Sequence, residues 1–189
     1  MQDDPIIRPQ GVLISRRAFI TGLASTAGLL AVSPVLAAVA PSSQRTLSFH
    51  HTHTGERAEI TYWRDGEYLA ENLKALDHLL RDHRTGEQAH MDQDLLDTLY
   101  ALQLKLGEPG EFEIISAYRS PKTNEMLRSK SGGVAKRSLH MQGKAIDIRV
   151  CGCDLKRLRK TALSLKAGGV GYYPKSNFVH VDTGRVRYW

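Results

Sequence analysis

Apolar and polar residues alternate with a period of two in some stretches of the chain and with a period near 3.6 in others, and these rhythms mark its elements. Leu47, Phe49 and His51 alternate with polar neighbours, Gly55 marks a turn, and Ala58, Ile60 and Tyr62 alternate again. That pattern predicts a β-hairpin over residues 45–62. After Asp65-Gly66, Leu69, Leu73, Leu76 and Leu80 recur at helical spacing, and a second stripe runs through Leu95, Leu99, Leu102 and Leu106. The second helix has Asp92 or Asp94 as its cap and a stop over residues 107–110. Residues 112–117 read as a short strand, and Pro121 opens a short helix, a place where its missing N–H costs nothing. Residues 144–150 alternate as a strand. Asp154 then caps a helix with Leu155, Leu158, Ala162 and Leu165 inward, which Gly168-Gly169 should end. Residues 170–173 and 178–182 form two more strands joined by a turn containing Pro174. The order predicts an α+β fold, with N-terminal helices packed on a small, mostly antiparallel sheet.

The beginning of the chain has a different character. Residues 15–22 read Ser-Arg-Arg-Ala-Phe-Ile-Thr-Gly, and a run of small and apolar residues follows as far as Val39. Paired arginines before a weakly apolar segment resemble a twin-arginine export signal. Val35-Leu36-Ala37 supplies the small residues that a signal peptidase needs, so cleavage is expected after Ala37. The run is too short and too rich in Ala, Gly, Ser and Thr for a membrane helix, which needs about 20 predominantly apolar residues. The expected plan is a signal peptide over 1–37, a linker over 38–44 and one domain over 45–189. The export machinery is then a partner, the periplasm is the destination, and no stable membrane anchor is expected.

Composition changes little in this picture. Hydrophobic residues make up 41% and charged residues 24%, which is ordinary for a globular domain and excludes a disordered or collagen-like chain. The formal net charge is +6, and removal of the leader, with three arginines against two aspartates, lowers it by one. A mildly basic surface suits polyanions, yet no recognition helix, zinc finger or RNA-binding motif accompanies it, so no nucleic-acid partner is expected. Cys151 and Cys153 lie two apart on an extended segment, near the limit of disulfide geometry, so a bond between them requires Gly152 to bend the chain; they are read as free or strained and without a catalytic role.

The candidate chemistry lies in the second half. In strands, Asp147 shares a face with Ala145 and opposes Ile146 and Ile148, while His180 and Asp182 share the face opposite Val179 and Val181. A carboxylate and an imidazole projecting from core strands need partners, because an unpaired buried charge is costly. With His140 they make a two-His, one-Asp set, which suits a catalytic zinc with one position left open. The residue types alone leave a metal and a metal-free hydrogen-bonded network equally open.

The motifs go further. Ser138-x-His140-x-x-Gly143-x-Ala145-x-Asp147, followed by His180 in a strand, resembles the ligand motif of the D-alanyl-D-alanine carboxypeptidase and hedgehog-like metallopeptidases. Ser116-Ala117-Tyr118-Arg119-Ser120 is similar to a Ser-Gly-Tyr-Arg-Ser segment of that group. With the leader and Thr52-His53-Thr54-Gly55-Glu56, most of the mature chain resembles the murein endopeptidase K-like zinc peptidases of Gram-negative bacteria. The resemblance implies a hedgehog/DD-peptidase-like fold and one Zn2+ held by His140, Asp147 and His180. It also implies hydrolysis of cross-links between peptidoglycan stem peptides, in particular those joining two diaminopimelate residues. Arg119 matches an arginine that faces substrate carboxylate or a developing oxyanion, and Ser138 and Gly143 are read as shaping the loop that presents His140.

One departure stands out. Several relatives place Glu, Asp or His two or three residues before the last ligand as a general base, and here those positions hold Phe178 and Asn177. Asp182 is then a candidate catalytic base, and equally a candidate for orienting His180. A D-alanyl carboxypeptidase and a non-catalytic zinc-containing peptidoglycan-binding module stay open as alternatives. His50, His51 and His53 lack a carboxylate or thiolate at ligand spacing and are read as ordinary strand residues.

Overall fold

Residues 43–107 and 110–189 are described in this computed structural model, so the expected leader and most of the linker lie outside the described residues. The first alternating stretch forms the expected hairpin. β1 (Gln44–His51) pairs antiparallel with β2 (Arg57–Arg64), which sets Leu47 opposite Ile60 and Phe49 opposite Ala58. Asp65 and Gly66, both at positive φ, turn the chain into β3 (Glu67–Tyr68).

The leucine stripes become α1 (Ala70–Leu79) and α2 (Gln93–Leu106). Asp92 is the cap of α2, accepting a 2.9 Å bond from the Asp94 N–H, and Gly107 ends the helix at φ 77°. Leu76, Leu80, Leu95, Leu96, Leu99 and Leu102 are fully buried and join Leu47, Phe49, Phe112 and Ile146 in one core. Each such side chain contributes about 1.5–3 kcal/mol of burial, so the inner stripes hold both helices on the sheet. α1 packs on β2, and α2 packs on β1.

Beyond α2 come β4 (Phe112–Ser116), α3 (Pro121–Lys130), a 3-10 turn at Leu139–Gln142, β5 (Ala145–Val150) and α4 (Leu155–Leu165). β6 (Gly169–Tyr173), β7 (Phe178–Asp182) and β8 (Arg187–Tyr188) complete the chain. The sheet order is β3-β2-β1-β4-β5-β7-β6-β8. The fold is α+β, with four helices and one mixed eight-stranded sheet among the described residues.

With eight strands among the described residues, the sheet is larger than the small one expected. The described chain opens with strands, and its hairpin is part of the same sheet, because β1 pairs parallel with β4 through residues 49–51 and 112–114. A parallel pair needs a long crossover, which β2, β3, α1 and α2 supply. β6 and β8 are also parallel, and the other pairings are antiparallel.

The end of α4 also differs. Lys166, at φ 53°, closes the helix before the two glycines. Gly168 and Gly169 serve close packing instead: a Cβ at Gly168 would lie 1.8 Å from the Asp182 carbonyl oxygen, and one at Gly169 2.5 Å from Asp182 Oδ2. No helix among the described residues is long and apolar enough to cross a membrane.

Candidate metal centre

β4, β5 and β7 are neighbours, and their polar positions meet across the sheet. Asp147 on β5 stands opposite His180 on β7 and opposite Ser116 on β4, the latter through a register shift between Ile114 and Ser116. His140 comes from the 3-10 turn, which Gly143 closes at φ 67°. A Cβ at Gly143 would lie 2.2 Å from the His90 carbonyl oxygen, so glycine is required twice over. The His140 carbonyl accepts the Arg119 N–H at 3.2 Å, which ties this turn to the segment after β4.

His140, Asp147 and His180 each offer one donor atom, all within 4.8 Å of one another. His140 Nε2 lies 3.2 Å from His180 Nδ1, and Asp147 Oδ1 lies 2.8 Å from His180 Nδ1 and 3.4 Å from His140 Nε2. The outer contacts of both imidazoles decide what these inner atoms carry. His140 Nδ1 lies 2.7 Å from the Ala117 carbonyl oxygen, which only accepts, so Nδ1 holds the proton and Nε2 presents a lone pair. His180 Nε2 lies 3.0 Å from Asp182 Oδ2 and donates to it, so His180 Nδ1 is the atom that faces Asp147, carrying a proton in the metal-free protein and giving a lone pair once a metal replaces that proton. Two lone pairs and a carboxylate oxygen facing one point repel unless a cation or a proton sits among them. This donor set fits a divalent metal of the zinc type.

The electrostatics agree. Burial works against ionisation of Asp147, but the charges and hydrogen bonds of His140 and His180 hold its carboxyl well below the usual carboxylate range. Burial lowers the His180 pKa, and Asp147 and Asp182 more than offset this, pushing it up to about 9. The cluster therefore draws positive charge to itself.

Arg119 and Asp182 flank the centre differently. Arg119 is 9% exposed, with Nη2 3.6 Å from Asp147 Oδ2 and 3.3 Å from Ser116 Oγ, while its buried Nε has no partner. Asp182 is fully buried behind His180. It accepts five donors: the N–H groups of Gly169 and Gly184, His180 Nε2, and Nη1 and Nη2 of Arg187. The site opens into a cleft of about 690 Å3 whose further walls include Leu127, Arg137, Tyr173, Phe178 and Trp189.

The family described as peptidoglycan L,D-endopeptidase MepK matches residues 39–189. The chain belongs to that family. It is 44% identical over 168 residues to the peptidoglycan L,D-endopeptidase MepK of Escherichia coli strain K12, covering 89% of this chain and 92% of that protein. It is 47% identical over 156 residues to the probable peptidoglycan L,D-endopeptidase MepK of Haemophilus influenzae, covering 82% of this chain and 84% of the other.

In this MepK-family chain, Asn177 and Phe178 stand where a base is sought, and Asn177 takes a left-handed turn conformation at φ 53°. Among the described residues that line the cleft, Asp147 and Asp182 are the carboxylates. Sequence reasoning missed Arg187 and Trp189, because a two-residue strand is too short to show a period. His51 is buried, its Nδ1 accepts the His53 and Thr54 N–H groups, and His53 stacks on His83 at 4.1 Å. These three imidazoles do not converge as the first set does. No disulfide joins Cys151 to Cys153.

Proposed function

We propose that the chain is a zinc-dependent endopeptidase of the bacterial cell wall that cuts peptide cross-links between peptidoglycan stem peptides, in particular those joining two diaminopimelate residues. The observation that carries this reading is the convergence of His140 Nε2, His180 Nδ1 and the Asp147 carboxylate on one point. Family membership supplies the substrate class, since the relatives are named as peptidoglycan L,D-endopeptidases.

His140 Nε2, Asp147 and His180 Nδ1 would hold one Zn2+. Zinc in such a site supplies a Lewis acid for a peptide carbonyl and acidifies water to a pKa of about 7. The protein supplies orientation and charge. The Ala117 carbonyl and Asp182 lock the two imidazole tautomers, which makes Asp182 a positioning residue. The permanently charged, planar fork of Arg119 is suited to a substrate carboxylate or to the oxygen that gains charge during attack. Phe178, Tyr173 and Trp189 offer an apolar wall for the aliphatic part of a stem peptide.

The same reading includes export. Residues 1–37 act as a twin-arginine signal cleaved after Ala37, residues 38–44 are a linker, and the domain over 45–189 works in the periplasm without a stable membrane anchor. The test is His140→Ala in the exported protein. Zinc content and release of products from cross-linked muropeptides should both be lost, and full activity in that variant overturns the proposal. Loss of terminal D-Ala alone from monomeric and dimeric muropeptides would point instead to a carboxypeptidase.

A further inference from the structure

β8 is the last strand of the sheet and pairs with β6, yet its Arg187 reaches across to Asp182 on β7. Nη1 donates to Asp182 Oδ1 at 3.0 Å and Nη2 to Oδ2 at 2.7 Å, so a planar fork meets both carboxylate oxygens. Arg187 is itself held in place. Its Nη1 also donates to the Arg185 carbonyl at 3.0 Å, and its guanidinium lies over the Trp189 ring, 5.0 Å from the centroid. The same indole stands 5.3 Å from the His180 ring, and its N–H donates to the Tyr173 hydroxyl at 2.7 Å. Gly171, opposite His180 in the sheet, leaves the room this requires: a Cβ there would lie 2.7 Å from the indole.

We propose that Arg187, braced by Trp189, is a positioning residue for the metal centre that acts through Asp182 on His180. The inference rests on the reading that His140, Asp147 and His180 hold zinc. Asp182 Oδ2 receives the His180 Nε2–H and one arm of Arg187 together. The second arm, with the Gly169 and Gly184 N–H groups on Oδ1, fixes the plane of the carboxylate. That plane sets the direction of the His180 ring and so the aim of Nδ1. Removal of the fork strips two charge-assisted bonds from a buried carboxylate, and the His180 ring loses its fixed reference. A lysine keeps the charge but, as a single point donor, does not span both oxygens in this way.

The test uses Arg187→Met and Arg187→Lys. Zn2+ affinity is measured by competition with a chromogenic chelator, the visible spectrum of the Co2+-loaded protein is recorded, and thermal melts are run without metal. Arg187→Met should bind Zn2+ about 10–100-fold more weakly and shift the Co2+ bands, as loss of an outer-shell partner does, and Arg187→Lys should recover part of both. Zn2+ affinity and a Co2+ spectrum in Arg187→Met indistinguishable from those of the unaltered protein overturn the inference while leaving the zinc reading intact. Absence of Zn2+ binding by the unaltered protein sinks the zinc reading itself. Should Arg187→Met not fold, Arg187→Gln is read by the same criterion, and failure of both to fold assigns Arg187 a purely structural role and overturns the inference.

Discussion

His180 Nε2 lies 3.0 Å from Asp182 Oδ2, on the opposite side of the imidazole from the Nδ1 that meets Asp147 at 2.8 Å. One ring thus faces a carboxylate on either side. Asp182 is occupied by donors on both oxygens, which suits it to holding His180 and not to taking a proton from substrate water. Asp182→Asn separates the two roles. Zinc affinity should fall about 10–100-fold, with kcat per bound zinc kept within about tenfold of the unaltered enzyme. A loss of about 10²–10⁴ in kcat at full zinc occupancy would make Asp182 the general base after all.

Arg119 carries a different expectation, because its side chain touches Asp147 and Ser116 but supplies no metal donor. Arg119→Lys should reduce kcat/KM by about 10²–10³ with zinc content unchanged, the size of effect seen when one donor to a developing oxyanion is removed. Steady-state kinetics on a defined dimeric muropeptide, beside metal analysis, reads both. Unchanged kcat/KM would leave Arg119 with a structural role only.

Asp82 supports this region from below. It is 1% exposed and accepts the N–H groups of Ser120 and Arg84, each at 2.9 Å, which fixes the start of α3 next to Arg119. Burial would raise its pKa, yet hydrogen bonds from Thr123, Arg84 and Ser120 hold it down to about 2. The folded value lies below the unfolded one, so Asp82 stabilises the fold above about pH 4 and that contribution is lost as pH falls toward 2. Urea unfolding should show Asp82→Asn less stable by about 2 kcal/mol at pH 7, with the difference shrinking between pH 4 and 2. A difference independent of pH would contradict this.

Local periodicity explains what the sequence revealed and what it hid. Leu76, Leu80, Leu95, Leu99 and Leu102 repeat at helical spacing and all lie in the core, and the alternation around Asp147 and His180 put both on the polar side of adjacent strands. The parallel pairing of β1 with β4 was hidden, because more than fifty residues separate Phe49 from its partner Phe112 and no period spans that distance. Gly168 and Gly169 read as a helix stop by composition, while their actual constraint is the approach of Asp182 from another strand. No local pattern marks Arg187, since only the folded sheet brings it to the carboxylate behind His180.

In the proposed site one metal ion sits among three particular atoms. Anomalous diffraction at the zinc edge, from crystals of the protein grown with Zn2+, shows whether it is there. One strong peak is expected about 2.0–2.2 Å from His140 Nε2, an Asp147 carboxylate oxygen and His180 Nδ1, with a fourth position open to the cleft. No peak at that point, or a peak held instead by His51, His53 and His83, would contradict it.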